Sequence, residues 1–523
     1  MFKRSVLGLM VMSMVLAILS GCGEKKTISS TTETELTYWG VLNPNVSANF
    51  ANLGDTPMAK NIEKLTGIKV KYIHPAQGQQ VEQFNLLLSS RQMPDMIEFN
   101  WYSFAGGPEK AINDGYILRL NDLLDKSAPN LKKYLSENLD IDKMVVTDEG
   151  NYYVFPFIRG DDLLKIASGP IVRKDWLDEL NLSVPETIDD WHTMLTEFKN
   201  KKGANAPFAT ITGNNVFKTD LLANGCFVGA YGILGNYYVE NGKVVYGFSR
   251  DEYKTFLDTF SKWREEGLID PDFATTTSPN LDTYMLTDKT GATIGWAGSG
   301  LGKGMLEGVK TNTEFNLVPA PYPVLQRGDK PKFGQKDLSY ITNASVAITT
   351  HCKNPELAAK FLDFGYGDEG MLAYNFGIEG ESYEMVSNSP KYTDLIMKNP
   401  EGLSVVHAMS KYIRGNYNGP FVQMKEYVEQ YYALPQQKDA LTVWNTDMEK
   451  YTLPRVTFTS EESDKIARAQ QNIDKHVSEY SLNVIMGNTT TADFDAYVKQ
   501  LKDYGLDELL EIYNKALERY EQR

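Results

Sequence analysis

The chain has 523 residues, with 53 Lys and Arg, 68 Asp and Glu, and 42% hydrophobic residues. This composition excludes a disulfide-rich miniprotein, a disordered acidic tail and a polytopic membrane protein. The formal net charge of -15 disfavours nucleic acid as a partner, because phosphate contacts need clustered Lys and Arg. Since a single core rarely exceeds about 300 residues, two lobes with a cleft between them are expected.

The N-terminal residues predict an export signal that ends in a lipid-attachment site. Lys3 and Arg4 precede an apolar run over residues 6 to 19, which is too short to span a bilayer comfortably. Residues 19 to 22 (LSGC) resemble the lipobox that bacterial lipoprotein processing recognises. We therefore predict a signal peptide over residues 1 to 21 and lipidation of Cys22; the alternative is a plain secretory signal with a coincidental cysteine.

The residues after this cysteine predict a tether. Residues 22 to 35 are polar and rich in Lys, Ser, Thr and Glu. The expected location is the cell membrane, with the protein lipid-anchored on the extracytoplasmic face. Only Cys226 and Cys352 remain in the mature chain, and the sequence leaves open whether they form a disulfide or stay as thiols.

The first part of the mature chain alternates strand and helix patterns. Short apolar runs at residues 36–42, 68–72 and 96–99 predict strands, and amphipathic stretches between them predict helices. This alternation indicates a parallel sheet, in which ligands bind beyond the carboxyl ends of the strands.

A second α/β stretch begins near residue 163. Thr187 and Asp190 have the spacing of a capping box at the start of a helix. Further apolar runs occur at residues 315–318 and 345–348. The last sixty residues carry apolar side chains at helical spacing, which predicts a helical tail held by packing.

Three segments carry a resemblance to a known family. Residues 173–191 (RKDWLDELNLSVPETIDDW), 343–383 and 484–517 are similar to the family 1 extracellular solute-binding lipoproteins of carbohydrate ABC importers, in particular their oligosaccharide-associated branch. The resemblance covers nearly all of the mature chain. It implies an α/β, two-lobed, periplasmic-binding-protein-like (type 2) fold with a hinge and a helical C-terminal tail.

The resemblance also implies that the chain crosses between the lobes more than once. We place the first crossing near residues 155–164 and the second near residues 338–344. Lobe 1 is then expected to contain residues 36–160 and 344–385, and lobe 2 residues 161–343 and 386–523.

A sugar receptor needs aromatic rings for the apolar faces of the sugar and carboxylates, amides or Arg for its hydroxyls. The predicted ligand-binding residues are therefore of three kinds. They are rings just past strand ends or beside a glycine-rich loop at residues 298–304, polar groups at the crossings, and one further carboxylate: Trp39, Trp101, Tyr102, Trp296, Arg159, Asp161, Tyr340, Asn343 and Glu379. Glu98 is a further possible hydroxyl acceptor, and residues 414–421 a possible cleft loop. The competing interpretations are core packing for the rings and a solvated surface for the carboxylates.

The resemblance implies a receptor that captures an oligosaccharide between its lobes and delivers it to ABC permease subunits in the membrane. We expect a monomer with no enzymatic activity, no cofactor, no metal and no nucleic-acid partner. Some relatives have a calcium loop after the helix equivalent to residues 191–199, but residues 200–206 (NKKGANA) lack the alternating carboxylates that Ca²⁺ needs. The alternatives are a sensing, peptide-binding or other solute-binding lipoprotein of the same fold, and an extracellular glycosidase.

Overall fold

The computed structural model describes residues 35–523 apart from residues 167, 211–224, 337, 338, 340, 342, 343 and 415–417. Within these residues the strands are β1 (Leu36–Trp39), β2 (Val70–Ile73), β3 (Met96–Phe99), β4 (Ile158–Arg159), β5 (Ser168–Arg173), β6 (Tyr237–Glu240), β7 (Lys243–Tyr246), β8 (Ala292–Trp296), β9 (Leu317–Pro319), β10 (Ser345–Ile348), β11 (Tyr383–Val386), β12 (Ser389–Tyr392) and β13 (Val422–Gln423).

The α-helices surround the sheets and form the end of the chain. They are α1 (Pro44–Ser47), α2 (Pro57–Thr66), α3 (Gln80–Ser90), α4 (Gly107–Asn113), α5 (Asn121–Ser127), α6 (Pro129–Glu137), α7 (Leu139–Val145), α8 (Lys174–Leu180), α9 (Ile188–Lys202), α10 (Asp251–Glu265), α11 (Ser278–Leu286), α12 (Lys303–Thr311), α13 (Pro355–Asp363), α14 (Asp368–Asn375), α15 (Asp394–Met397), α16 (Val405–Tyr412), α17 (Lys425–Tyr431), α18 (Pro435–Val443), α19 (Ser460–Ile485), α20 (Phe494–Asp503) and α21 (Leu506–Glu521). The last three confirm the predicted helical tail.

The first sheet has the strand order β10-β3-β1-β2. β1 is parallel to both β2 and β3, as the alternating strand and helix patterns predict. β10 returns late in the chain and is antiparallel to β3.

The second sheet has the order β8-β5-β9, and β5 is antiparallel to both neighbours. Next to it lies α9, whose start confirms the predicted capping box. The Thr187 hydroxyl accepts a hydrogen bond from the Asp190 amide at 3.1 Å, and the Asp190 carboxylate accepts one from the Thr187 amide at 3.0 Å. The helix ends at Gly203, which has a left-handed φ of 70°.

The two largest hydrophobic cores divide the described residues into two lobes. The first-lobe core is built from residues between 36 and 158, from Ile341, from residues between 346 and 374, and from residues 421 and 422. The second-lobe core is built from residues between 164 and 333 and residues 428–512, and therefore includes the helical tail. Cys226 lies in the second-lobe core and Cys352 in the first, so they are not bonded to each other.

Residues 386–413 pack with the first lobe, whereas the sequence predicts them in lobe 2. Instead of joining lobe 2, α16 packs against α1 and α2 of the first lobe. The Ser410 hydroxyl donates a hydrogen bond to the Asn45 carbonyl at 3.0 Å, and Phe376, Ile396 and Met409 form a small core on this side. The first lobe therefore contains about thirty more residues of this part of the chain than the sequence predicts.

Three chain segments meet where the lobes join. β4 pairs in parallel with β13, and Ile158 also forms a bridge with Ile341. β4 lies within the first predicted crossing, residues 155–164, and Ile341 within the range predicted for the second. The third, at β13, is a consequence of the longer stay in the first lobe and was not predicted.

Candidate functional site

A cavity of about 1170 Å³ lies between residues of the two lobes. One wall comes from the first lobe, from the turn after β3 and from α7. The other comes from β6, α19 and α21 of the second lobe, and the extended segment 452–458 runs along the floor. We refer to this space as the cleft cavity.

Tyr102 is the predicted site residue that lines the cleft cavity. It lies in a single 3-10 turn that begins at Trp101, two residues after the end of β3 at Phe99. Its hydroxyl donates to the Val456 carbonyl at 2.7 Å, and the Arg455 guanidinium lies 4.0 Å from the ring centroid. Burial raises the pKa of Tyr102 to about 12, so the phenol stays neutral at physiological pH.

The opposite wall carries a pair of stacked tyrosines. The rings of Tyr237 and Tyr513 lie 4.0 Å apart at an interplanar angle of 19°. The Tyr237 hydroxyl donates to the Gln470 side-chain oxygen at 2.9 Å, and the Gln470 amide donates to Asp474 at 2.6 Å. Rings bordered by an amide and a carboxylate suit a ligand with apolar faces and many hydroxyls.

Sequence reasoning missed this tyrosine pair. The two residues are separated by 276 positions, and Tyr513 lies in a helical stripe that predicts packing. The fold brings the two residues together because α21 packs against β7, the hairpin partner of β6. A helical aromatic with a polar tip on an otherwise aliphatic stripe is the one local signal that the sequence offers.

Charged groups from the first crossing complete the floor of the cavity. Lys165 has only 3% of its side chain exposed and lies 2.6 Å from Asp162 and 3.6 Å from Glu449. Lys336 also pairs with Glu449. Lys165 is therefore held by two carboxylates, which compensates for the loss of water around its ammonium group.

The two predicted polar residues of the first crossing have structural partners beside the cavity. The Asp161 carboxylate accepts from the Leu163 amide at 2.9 Å and lies 3.5 Å from Lys425, so it caps a short turn. Arg159 is buried, and its guanidinium donates to the Leu164 carbonyl. Both residues shape the turn that presents Asp162 and Lys165 to the cavity.

The structure contradicts the expectation that Trp39 and Trp101 form sugar platforms. The two side chains are only 3% and 0% exposed and belong to the core on one face of the first sheet. The Trp101 indole donates to the Ile97 carbonyl at 3.0 Å. Their rings are enclosed by protein atoms, so neither has a free face for a ligand.

The remaining predicted residues lie apart from the cleft cavity or outside the described residues. Trp296 is 51% exposed at the end of β8 and lines a separate cavity of about 590 Å³ in the second lobe. Glu379 is exposed beside β11, where it forms a bridge with Tyr383. Tyr340, Asn343 and the predicted lipidation residue Cys22 lie outside the described residues.

Glu98 is not an exposed hydroxyl acceptor but one half of a buried ion pair. Its carboxylate accepts from the Arg414 guanidinium and from the Tyr38 hydroxyl. Burial raises the pKa of Glu98, and the charge of Arg414 opposes this shift. The pair joins β3 to the segment that follows α16, so it links two distant segments of the first lobe.

The described residues contain no group of three or more His, Cys, Asp or Glu placed to hold a metal ion. The segment after α9, where the sequence predicts no calcium site, has Ala204 and Ala206 buried and an ordinary glycine helix end. In residues 35–523, as far as they are described, no helix is long and apolar enough to cross a membrane.

The two lobes, the triple crossing and the cavity between them define a periplasmic-binding-protein-like solute receptor. The chain belongs to the bacterial extracellular solute-binding proteins, whose family model matches residues 50–372. The sequence-based assignment to this fold and family is confirmed.

Among curated relatives, the chain is 26% identical over 566 aligned residues to the fructooligosaccharide ABC transporter substrate-binding protein FusA of Streptococcus pneumoniae, covering 99% of both chains. It is 25% identical over 516 residues to Lipoprotein LipO of Bacillus subtilis, covering 97% of both. A solved structure of S. pneumoniae FusA in complex with kestose superposes with a TM-score of 0.71 at 25% identity, covering 93% of this chain and 99% of that one.

Proposed function

We propose that this protein is an extracytoplasmic receptor that captures an oligosaccharide in the cleft cavity and delivers it to the permease subunits of an ABC importer. The observation that carries the proposal is the cavity itself, which lies between the lobes and is lined by tyrosine rings beside carboxylates and an amide. The similarity to FusA, named for fructooligosaccharide transport, supports the same ligand class.

In this proposal the protein acts as a monomer and the sugar leaves it chemically unchanged. The rings of Tyr102 and Tyr237 would contact the apolar faces of the sugar, and Asp474 and Gln470 would bond to its hydroxyls. The two lobes would close by bending at the junction of β4 and β13. Ligand favours the closed form only through contacts that it makes better there, so an apo population that is mostly open is expected.

Replacing Tyr102 with Ala is expected to weaken oligosaccharide binding by about 2 kcal/mol, because it removes a ring from the wall of the cavity. Tyr102→Phe is the matched control, since it keeps the ring and removes only the hydrogen bond to Val456. Calorimetric titration of both variants measures the effect. Wild-type affinity in a folded Tyr102→Ala protein would remove Tyr102 from the site.

We further propose that Cys22 carries a lipid that anchors the protein to the extracytoplasmic face of the membrane. The lipobox over residues 19–22 supports this, as does the similarity to a protein named as a lipoprotein. Cys22→Ala is expected to move the protein from the membrane fraction to the soluble fraction, while Ser30→Ala in the tether leaves it in place. Membrane retention of the Cys22→Ala protein would contradict the anchor.

A further inference from the structure

We infer that the cleft cavity selects uncharged oligosaccharides and discriminates against those built from uronic acids. The inference rests on the proposed function and specifies its ligand class. It follows from the charges around the cavity. Among the described residues, four carboxylates line the cavity, Asp140, Asp162, Glu449 and Asp474, against two basic residues, Lys165 and Arg455.

The first basic residue is already neutralised. Lys165 is buried and lies within ion-pair distance of both Asp162 and Glu449. A ligand carboxylate that approached Lys165 would have to displace one of these partners and would then face the displaced charge. Asp162, whose side chain is 67% exposed, places a solvent-facing carboxylate beside Lys165 that repels a ligand carboxylate.

The second basic residue is engaged by the protein itself. One face of the Arg455 guanidinium lies 4.0 Å from the Tyr102 ring centroid, and one of its amino groups donates to the Ile341 carbonyl at 2.9 Å. Its Nε has no hydrogen-bond partner among the described residues but is enclosed by protein atoms, out of reach of a ligand carboxylate. A uronate receptor would present an Arg with its two parallel donors directed at the ligand carboxylate. Here the Arg455 guanidinium packs on the ring of Tyr102 instead.

The polar groups that remain are suited to hydroxyls. The Gln470 side-chain oxygen accepts from the Tyr237 hydroxyl and one Asp474 oxygen accepts from the Gln470 amide, and a carbonyl or carboxylate oxygen can accept a second hydrogen bond from a sugar hydroxyl. Carboxylates accept hydrogen bonds from sugar hydroxyls and repel a carboxylate at the same place. A neutral sugar therefore gains from the same groups that exclude an acidic one.

The test measures the affinity of the purified protein for neutral trisaccharides of the fructan, maltose and xylan types and for trimers of galacturonate and of alginate. Calorimetry at about 0.05 M and about 0.5 M salt separates charge from shape, because salt screens exposed charges. We expect a neutral sugar to bind and each uronate trimer to bind at least about tenfold more weakly, with a smaller gap at high salt.

Two variants sharpen the test. Asp162→Asn should bring the affinity for uronate trimers closer to the affinity for neutral trisaccharides, because it removes one charge that repels the ligand carboxylates. Arg455→Gln should weaken both classes to a similar extent, because it acts through Tyr102. A loss confined to uronates in Arg455→Gln would overturn the inference.

The outcomes separate this inference from the proposed function. A uronate trimer that binds as tightly as the best neutral sugar would overturn the charge selection and leave the oligosaccharide receptor standing. Failure of every neutral and acidic sugar to bind would overturn both.

Discussion

Replacement of Glu98 with Gln is expected to lower the free energy of unfolding by about 3 to 5 kcal/mol. The substitution leaves the Arg414 guanidinium buried without its counter-ion, and taking a charge out of water without a partner is costly. Tyr38 also loses the carboxylate to which its hydroxyl donates. Urea denaturation followed by circular dichroism measures the change.

An exposed ion pair provides the matched control. Lys499 and Asp503 are 2.9 Å apart on α20, with both side chains at least half exposed. Asp503→Asn should cost no more than about 0.5 kcal/mol, since water and salt screen such pairs. Equal small losses in both variants would show that the Glu98 pair does not stabilise the fold.

Trp101→Ala is expected to destabilise the protein by about 3 to 5 kcal/mol, because it removes a fully enclosed ring and leaves a cavity. The ring packs edge-on against Phe84 at 5.3 Å and stacks with Phe104 at 5.9 Å, and its donor bonds to Ile97. Denaturation of this variant and of Tyr102→Ala compares the loss of unfolding free energy when a core ring is removed with the loss when the neighbouring ring on the cavity wall is removed.

Trp296→Ala serves as the control for ring size. Because half of the Trp296 side chain is exposed, its loss should cost less than about 1 kcal/mol. A Trp101→Ala protein that is as stable as this control but no longer binds sugar would show that Trp101 is a binding residue and not a core residue.

The features predicted correctly from the sequence depend on local rules. The parallel pairing of β1, β2 and β3 follows from alternating apolar runs, and the start of α9 from the spacing of Thr187 and Asp190. The helical tail follows from its 3.6-residue period. Each signal is contained within a short stretch of chain.

The features that were missed depend on which face a residue presents and on contacts between distant segments. Trp39 lies at a strand end, as predicted, but its register opposite Ile97 places it in a core instead of a cleft. The ion pair of Glu98 and Arg414 spans 316 positions. No local pattern encodes the packing of α16 on the first lobe. This packing places residues 386–413 in the first lobe.

The most direct test of the account is to titrate the purified protein with a neutral oligosaccharide and then to recover the sugar by chromatography. We predict saturable binding of one sugar per protein, weakened in Tyr102→Ala, with the sugar recovered unchanged. Shortened products would identify a glycosidase instead, and a complete absence of binding across neutral and acidic sugars would contradict the proposal that the cleft cavity is an oligosaccharide site.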